Sequence, residues 1–199
     1  MNKKRYIIIS IIVLVLVVGI ILLSSNIGQE KTAEKQNSLK TQGSKKANFE
    51  IQNAHDTNWA NKELKDVLTE KRFKISDYKN KKHVLLESFA VWCPTCTKQQ
   101  KQIKEFHKRT EKKVESISLN TDPNEKAQKV KQHAEKNGFD WKYAIPPRET
   151  TKKLIDQFGQ GFVNAPQSPV VLICKDGKAK MLERGVKSPK ELEKAINKC

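Results

Sequence analysis

Apolar and polar positions divide this chain into three unequal parts. From Ile7 to Leu23 the sequence is an almost unbroken run of Ile, Val and Leu, preceded by Lys3, Lys4 and Arg5 and bounded by Tyr6. A run of that length and purity crosses a bilayer as a helix, with the aromatic ring at the headgroup boundary. It predicts a transmembrane helix over residues 6–23. The basic cluster lies before the run, while the flank after it mixes Glu30, Lys31 and Glu34. The positive-inside rule then puts residues 1–5 in the cytoplasm and everything after the run outside. A cleaved signal peptide has the same basic start and apolar run. Ser24, Ser25 and Asn26 make a poor cleavage site and no lipid-accepting cysteine follows, which favours an uncleaved anchor. Residues 24–48 hold Ser, Asn, Gln, Lys, Glu and Thr with hardly a large side chain, the composition of a flexible linker. Residues 49–199 carry the periodic patterns of one folded domain.

At the start of that domain the pattern is divided. Leu64, Val67 and Leu68 suit a helix, whereas Phe73 and Ile75 alternate as in a strand. Val84 to Val91 is a short apolar run of strand length, suited to the buried centre of a mixed sheet. Pro94 to about Thr110 predicts a helix, polar on most faces, with Ile103 and Phe106 as its inward stripe. Val114, Ser116, Ile117 and Leu119 give the next strand. Asp122 and Pro123 then open a helix rich in Lys, Gln, Glu and Ala, which Gly138 closes. Trp141 to Ile145 reads as a short strand and Glu149 to Phe158 as a helix ending at Gly159. Val170–Cys174 and Ala179–Arg184 flank Lys175, Asp176, Gly177 and Lys178, a hairpin signal. Ser188, Pro189 and Glu191 supply an N-cap, a first-turn proline and a capping-box acid for a last helix. The alternation of strands and helices is that of an α/β fold.

Charge adds one feature. Three of the 39 basic residues precede the apolar run, leaving 36 against 22 acidic residues on its far side. A Lys-rich solvated surface accounts for this excess, and attraction to anionic lipid headgroups or acidic partners is the sharper alternative. Nucleic acid is not an expected partner, because the charge is spread along the chain and no basic stretch is interleaved with aromatics.

The chemistry concentrates in Ala90 to Lys98, where Cys93 and Cys96 stand two residues apart after the apolar run and before the polar helix. The first cysteine therefore falls where a strand hands over to a helix. Free N–H groups and the positive end of the helix dipole favour a thiolate there, and thiolate is the form that attacks disulfides. Cys96 is carried inward by the helix and Cys93 is left at an exposed tip, so Cys93 attacks and Cys96 resolves. Zinc sites share the spacing, but no second Cys-x-x-Cys or close Cys/His pair is present, so no metal is expected.

With Trp92 before the pair and Pro94 inside it, this stretch resembles a thioredoxin active site. More closely, it resembles the membrane-tethered thioredoxin-like proteins of the TlpA and ResA type, over roughly residues 64–197. The resemblance implies a mixed central sheet flanked by helices, an N-terminal β-hairpin ahead of the core, and a central strand–helix insertion. Lys79–Lys82 would be the turn into the core. It implies a protein-disulfide oxidoreductase that needs no bound cofactor. Such a protein reduces disulfides of exported proteins, for example the haem-site cysteines of apocytochrome c, and is recharged by a membrane electron-transfer partner. A disulfide-forming oxidant is the first alternative and a Sco-like copper carrier the second.

The same resemblance assigns further residues. Pro169 matches the family's cis-proline, with Pro166 as a rival, and the backbone of Ser168 before it pairs with an extended substrate segment. Trp92 helps shape the docking surface, and Pro94 and Thr95 tune the redox potential. Glu87, on the central strand, stands where thioredoxins keep a buried acid beneath the second cysteine. Burial should raise its pKa and let it take the Cys96 proton. TlpA and ResA relatives place an acid three residues after the second cysteine, where this chain has Gln99. Sco-type copper carriers share the fold and something of the Asn120–Pro123 segment, but they need a histidine leading into the closing strands, and none follows His133. His55, His83, His107 and His133 read as surface residues. In a thioredoxin-like fold the last helix runs beside the strand that ends at Cys174, so Cys174 and Cys199 are candidates for a structural disulfide.

Overall fold

Six consecutive buried residues, Val84–Phe89 (β3), form the strand on which the sheet is built. In this computed structural model residues 57–110 and 114–199 are described. The membrane helix expected over 6–23, the linker over 24–48 and His55 lie outside them. None of the helices among the described residues is long and apolar enough to cross a membrane.

On one side β3 pairs in parallel with Glu115–Asn120 (β4), which pairs in parallel with Lys142–Ala144 (β5). On the other it pairs antiparallel with Val170–Ile173 (β6), and β6 with Ala179–Met181 (β7). The order β5-β4-β3-β6-β7 leaves β3 in the middle. A central strand has both faces covered, which is why its residues are apolar almost without alternation. The exceptions are Glu87 and Ser88, both fully buried.

Each face of the sheet has its own core. Leu85, Phe89, Val170 and Leu172 pack with Ile103 and Phe106 of Pro94–Thr110 (α1), Val130 and Ala134 of Ala127–Asn137 (α2), and Leu192 of Pro189–Ile196 (α4). Val84, Leu86, Ile117, Leu119 and Val171 pack with Leu154 of Arg148–Phe158 (α3), Phe162 and Trp59. The two sets alternate along β3 and β6, the period-two signature of a strand.

Local chemistry sets the helix ends. Gly138 takes the left-handed conformation (φ 61°, ψ 42°) that closes α2, its N–H reaching the carbonyls of Ala134 and Glu135. At α4, Ser188 and Glu191 form the expected capping box, each side chain meeting the other's backbone N–H. The helix expected from Asp122 begins instead at Ala127. Asp122 builds a turn, its carboxylate accepting the Asn124 N–H at 2.8 Å.

The N-terminal hairpin is present but minimal. Leu64–Lys65 (β1) pairs with Arg72–Phe73 (β2), and Ile75 lies in a 3₁₀ turn, Ile75–Tyr78, rather than in a strand. Asp66 links this hairpin to the sheet edge: Oδ1 accepts the Tyr143 N–H at 3.2 Å, and the Val67 N–H reaches the Tyr143 carbonyl at 2.8 Å. The hairpin thus supplies hydrogen bonds to edge strand β5.

A disulfide joins Cys174, just past β6, to Cys199, just past α4, with Cα atoms 5.5 Å apart across a separation of 25 residues. It ties the last helix to the β6–β7 turn. Closing a loop of that length restricts the unfolded chain and contributes roughly 3 kcal/mol. Replacing both cysteines by serine should lower unfolding stability by about that amount in urea titrations, with a steeper slope because the unbridged unfolded chain exposes more surface. A loss below about 0.5 kcal/mol would mean that the bridge is energetically idle.

Candidate active site

Val91 and Trp92 form the turn between β3 and α1, and Cys93 is the residue on which α1 begins. Its Sγ accepts the Cys96 N–H at 3.2 Å, as a capping side chain would, and its carbonyl accepts the Thr97 N–H at 3.2 Å. An N–H aimed at sulfur from the first turn of a helix holds negative charge on that sulfur. Pro94 occupies the first helical position, where its missing N–H costs nothing, and Thr95 is half-buried behind it.

Cys96 faces inward and is fully buried. Its thiol lies 2.7 Å from Cys93 Sγ and 3.2 Å from the Ala165 carbonyl, and donates toward both. Burial raises its pKa well above that of an ordinary thiol, with Cys93 and Glu87 adding to the effect. Cys93 is not at an exposed tip as the sequence suggested, being only 1% exposed. It belongs to the buried cluster that holds Ala165 and the inward stripe of α1, and Trp92, 58% exposed, takes the outer position. The Trp92 indole donates to Asp122 Oδ2 at 2.6 Å and lines a groove of about 510 Å³ with Asp122, Asn124, Val163 and Pro166. The Asn124 N–H and the Trp92 indole together hold the Asp122 carboxyl below the usual range. Glu125 braces the turn from inside, accepting the Val91 N–H at 2.7 Å and the Asn120 side-chain N–H at 2.6 Å. Those two bonds and the Lys129 ion pair outweigh its desolvation and lower its pKa.

Glu87 projects from β3 on the α1 face and is completely buried. Oε2 accepts Ser118 Oγ–H at 2.7 Å and Gln100 Nε2–H at 3.0 Å, while Oε1 has no partner among the described residues. Desolvation pushes its pKa up to about 7 against the lowering effect of those two bonds and of Lys187. A group balanced there can release or accept a proton near neutrality. It bonds to neither sulfur directly, but its charge acts on Cys96.

The loop opposite the dithiol corrects two expectations. No cis peptide occurs among the described residues, so the bond before Pro169 is trans. The chain reverses instead at Ser168, in left-handed backbone (φ 47°, ψ 59°) after the 3₁₀ turn Ala165–Gln167. Ser168 is not free to pair with a substrate either. Its N–H bonds to the Ala165 carbonyl at 2.8 Å and its own carbonyl accepts Lys187 Nζ. The Pro169 carbonyl is taken by the Ser88 N–H at 3.2 Å, while Pro166 is exposed at the groove.

The histidines are also corrected. His107 and His133 are buried, bonding to Ser116 Oγ and Gln100 Oε1 at 2.8 and 2.7 Å, and His83 is half-buried. Burial lowers the His133 pKa, and its link to Gln100 continues the chain that starts at Glu87. Among the described residues no histidine joins Cys93 and Cys96 in a metal-ligating cluster; His83 instead lies beside the Cys174–Cys199 bridge. Gln99 is buried and holds both backbone polar groups of Lys187. Sequence reasoning missed Ser118, Gln100 and Lys187. Only Ser118 had a signal, since it is the β4 residue in register with Glu87.

Comparison with known proteins places the fold. No curated protein matches the chain. A secreted disulfide oxidoreductase of Mycobacterium tuberculosis, homologous to E. coli DsbE, superposes with TM-score 0.56 at 13% identity, over 72% of this chain and 100% of that one. A thioredoxin-family thiol:disulfide interchange protein from Chlorobium tepidum gives TM-score 0.56 at 17% identity, over 69% and 91%. BsSco, a member of the Sco family of cytochrome c oxidase assembly proteins, gives TM-score 0.56 at 18% identity, over 68% and 89%. At these identities the likeness shows a thioredoxin-like fold. The redoxin family model matches residues 43–196, most of the chain, and the protein therefore belongs to the redoxin family.

Proposed function

We propose that this redoxin is a protein-disulfide oxidoreductase that works through a Cys93–Cys96 dithiol. The observation carrying the reading is the asymmetry of the pair: Cys93 Sγ receives the Cys96 N–H and S–H, while Cys96 keeps its proton in a buried site. Cys93 as thiolate attacks one sulfur of a target disulfide, forming a mixed disulfide and releasing the other target sulfur as thiolate. Cys96 then passes its proton to Glu87 and attacks Cys93 Sγ. The mixed disulfide breaks, its electron pair leaves on the second target sulfur, and Cys93 and Cys96 end as a disulfide. Trp92 and the groove beside it offer the target a docking surface.

The direction we favour is reduction of disulfides in exported proteins, with a membrane electron-transfer partner restoring the dithiol. The apolar run at 6–23 supports a membrane-anchored form with this domain outside the cytoplasm, and the Trp-Cys-Pro-Thr-Cys stretch supports the TlpA/ResA type. Cytochrome c haem-site cysteines are one target class of that type.

In cells, Cys96→Ser should accumulate mixed disulfides through Cys93, whereas Cys93→Ser should trap nothing. Acid-quenched alkylation in the same experiment should find the wild-type pair resting as a dithiol. Equal trapping by both variants would overturn the assigned roles, and a resting disulfide would indicate an oxidant.

Glu87→Gln keeps the shape and removes the proton acceptor. In stopped-flow traces resolution should slow by about 10²-fold while the attack phase changes little. Equal slowing of both phases would remove Glu87 from the mechanism. Stability supplies a second readout. A carboxyl whose folded pKa is raised stabilises the fold below its unfolded value of 4.5, and this is lost as pH rises to about 7. Glu87→Gln should therefore match wild type in acid and gain on it across that window, by about 1.4 kcal/mol per pH unit.

A further inference from the structure

One buried amine has no part in the exchange just described. Lys187 lies between β7 and α4 and is 7% exposed. Its backbone is clamped on both sides: its N–H donates to Gln99 Oε1 at 2.7 Å, and Gln99 Nε2 donates to its carbonyl at 3.2 Å. Its Nζ donates to the Ser168 carbonyl and, at 3.3 Å, to that of Glu183. These partners are neutral, and no ion pair to Lys187 occurs among the described residues. An ammonium so enclosed is costly to keep charged, and burial lowers its pKa to about 8.

The anionic groups that act on Lys187 are Glu87, Glu191 and Cys96. Glu191 is exposed and committed to the Ser188 capping box, leaving the buried pair Glu87 and Cys96. Glu87 in turn faces Cys96 and Tyr143, and reaches His133 only through Gln100. Lys187 is thus the cation that acts on Glu87, the acceptor of the resolving proton. Its hold on Ser168 also steadies the turn whose Ala165 carbonyl receives the Cys96 thiol.

We infer that Lys187 is a positioning residue for resolution: its ammonium compensates the negative charge beneath the dithiol as that charge passes from Glu87 to the Cys96 sulfur and out on the departing target thiolate. This rests on the oxidoreductase reading above. The proton moves from Cys96 Sγ to Glu87 while the Cys96 electron pair forms the bond to Cys93 Sγ. The Cys93–target bond breaks with its pair on the target sulfur. Before the step the anion is the Glu87 carboxylate; afterwards it is the released thiolate, and Glu87 is a neutral acid. Lys187 forms no covalent bond and keeps its own proton. Without it, an uncompensated carboxylate is disfavoured and Glu87 stays protonated to higher pH.

Stopped-flow resolution of a preformed mixed disulfide, measured across pH, tests this in the full chain. Lys187→Met should slow resolution at neutral pH about ten-fold and move the midpoint of its pH profile up by about one unit. Lys187→Arg should retain the midpoint and stay within about three-fold of wild type. Slower resolution with an unmoved midpoint would reduce Lys187 to packing and overturn the inference. Should Lys187→Met fail to fold, ¹⁵N NMR titration of wild-type Lys187 Nζ decides the matter. The amine pKa should be lower in Glu87→Gln than in wild type by about half a unit, because the variant has no carboxylate to act on it. Equal values would overturn the proposal. That titration needs no target protein. Absence of any attack phase on target disulfides would refute the oxidoreductase reading, while the titration would still decide whether Lys187 is coupled to Glu87.

Discussion

Burying a carboxyl on the central strand is the constraint that the rest of this site answers to. Glu87 is inaccessible to water, and removing an ionised carboxylate from water costs several kcal/mol unless its charge is compensated. The fold meets that cost in part. Ser118 and Gln100 satisfy one oxygen, Lys187 supplies a field, and desolvation still leaves the acid half-titrated near neutrality. Gln100 is held in turn by His133, and Ser118 receives the Trp141 indole N–H at 2.9 Å. A polar seam therefore runs through an otherwise apolar core and ends on the Glu87 carboxyl.

The dithiol is built to the opposite specification. Cys93 is placed by backbone alone, at the first turn of α1, where the Cys96 N–H points at its sulfur. Cys96 receives no such help and lies where burial opposes ionisation. The pair is thus divided into a sulfur that accepts hydrogen bonds and a sulfur that keeps its proton. Glu125, Asp122 and the Ala165 carbonyl fix the surrounding loops, so this difference survives at a site with an open groove on one side. Preorganisation of this kind lets charge move without the protein having to reorganise around it.

Much of the fold was legible because apolar periodicity reports burial directly. β3, β4, α1 and the closing hairpin and helix fall where their patterns put them, and the Ser188–Glu191 box marks its helix start to the residue. The dithiol was legible from its spacing and from the strand and helix that flank it. What escaped was tertiary. Lys187 is one lysine in a chain with 39 basic residues, and nothing adjacent to it signals burial. His107 and His133 sit among Lys and Glu in sequence, yet helix geometry turns them inward. Cys93 was expected at an exposed tip because capping position and exposure usually coincide. Here Cys93 is packed into the core cluster that also holds Ala165, and the bond before Pro169 is trans, with Ser168 before it in left-handed backbone.

The central claim is that Glu87 is an acid–base group beneath the dithiol rather than a packed polar residue. ¹³C NMR titration of its side-chain carboxyl in the reduced protein tests this without turnover or target. The account predicts a midpoint near 7. A carboxyl that titrates at its ordinary value of about 4.5 would be ionised throughout the working range, and the account of the resolving step would be wrong.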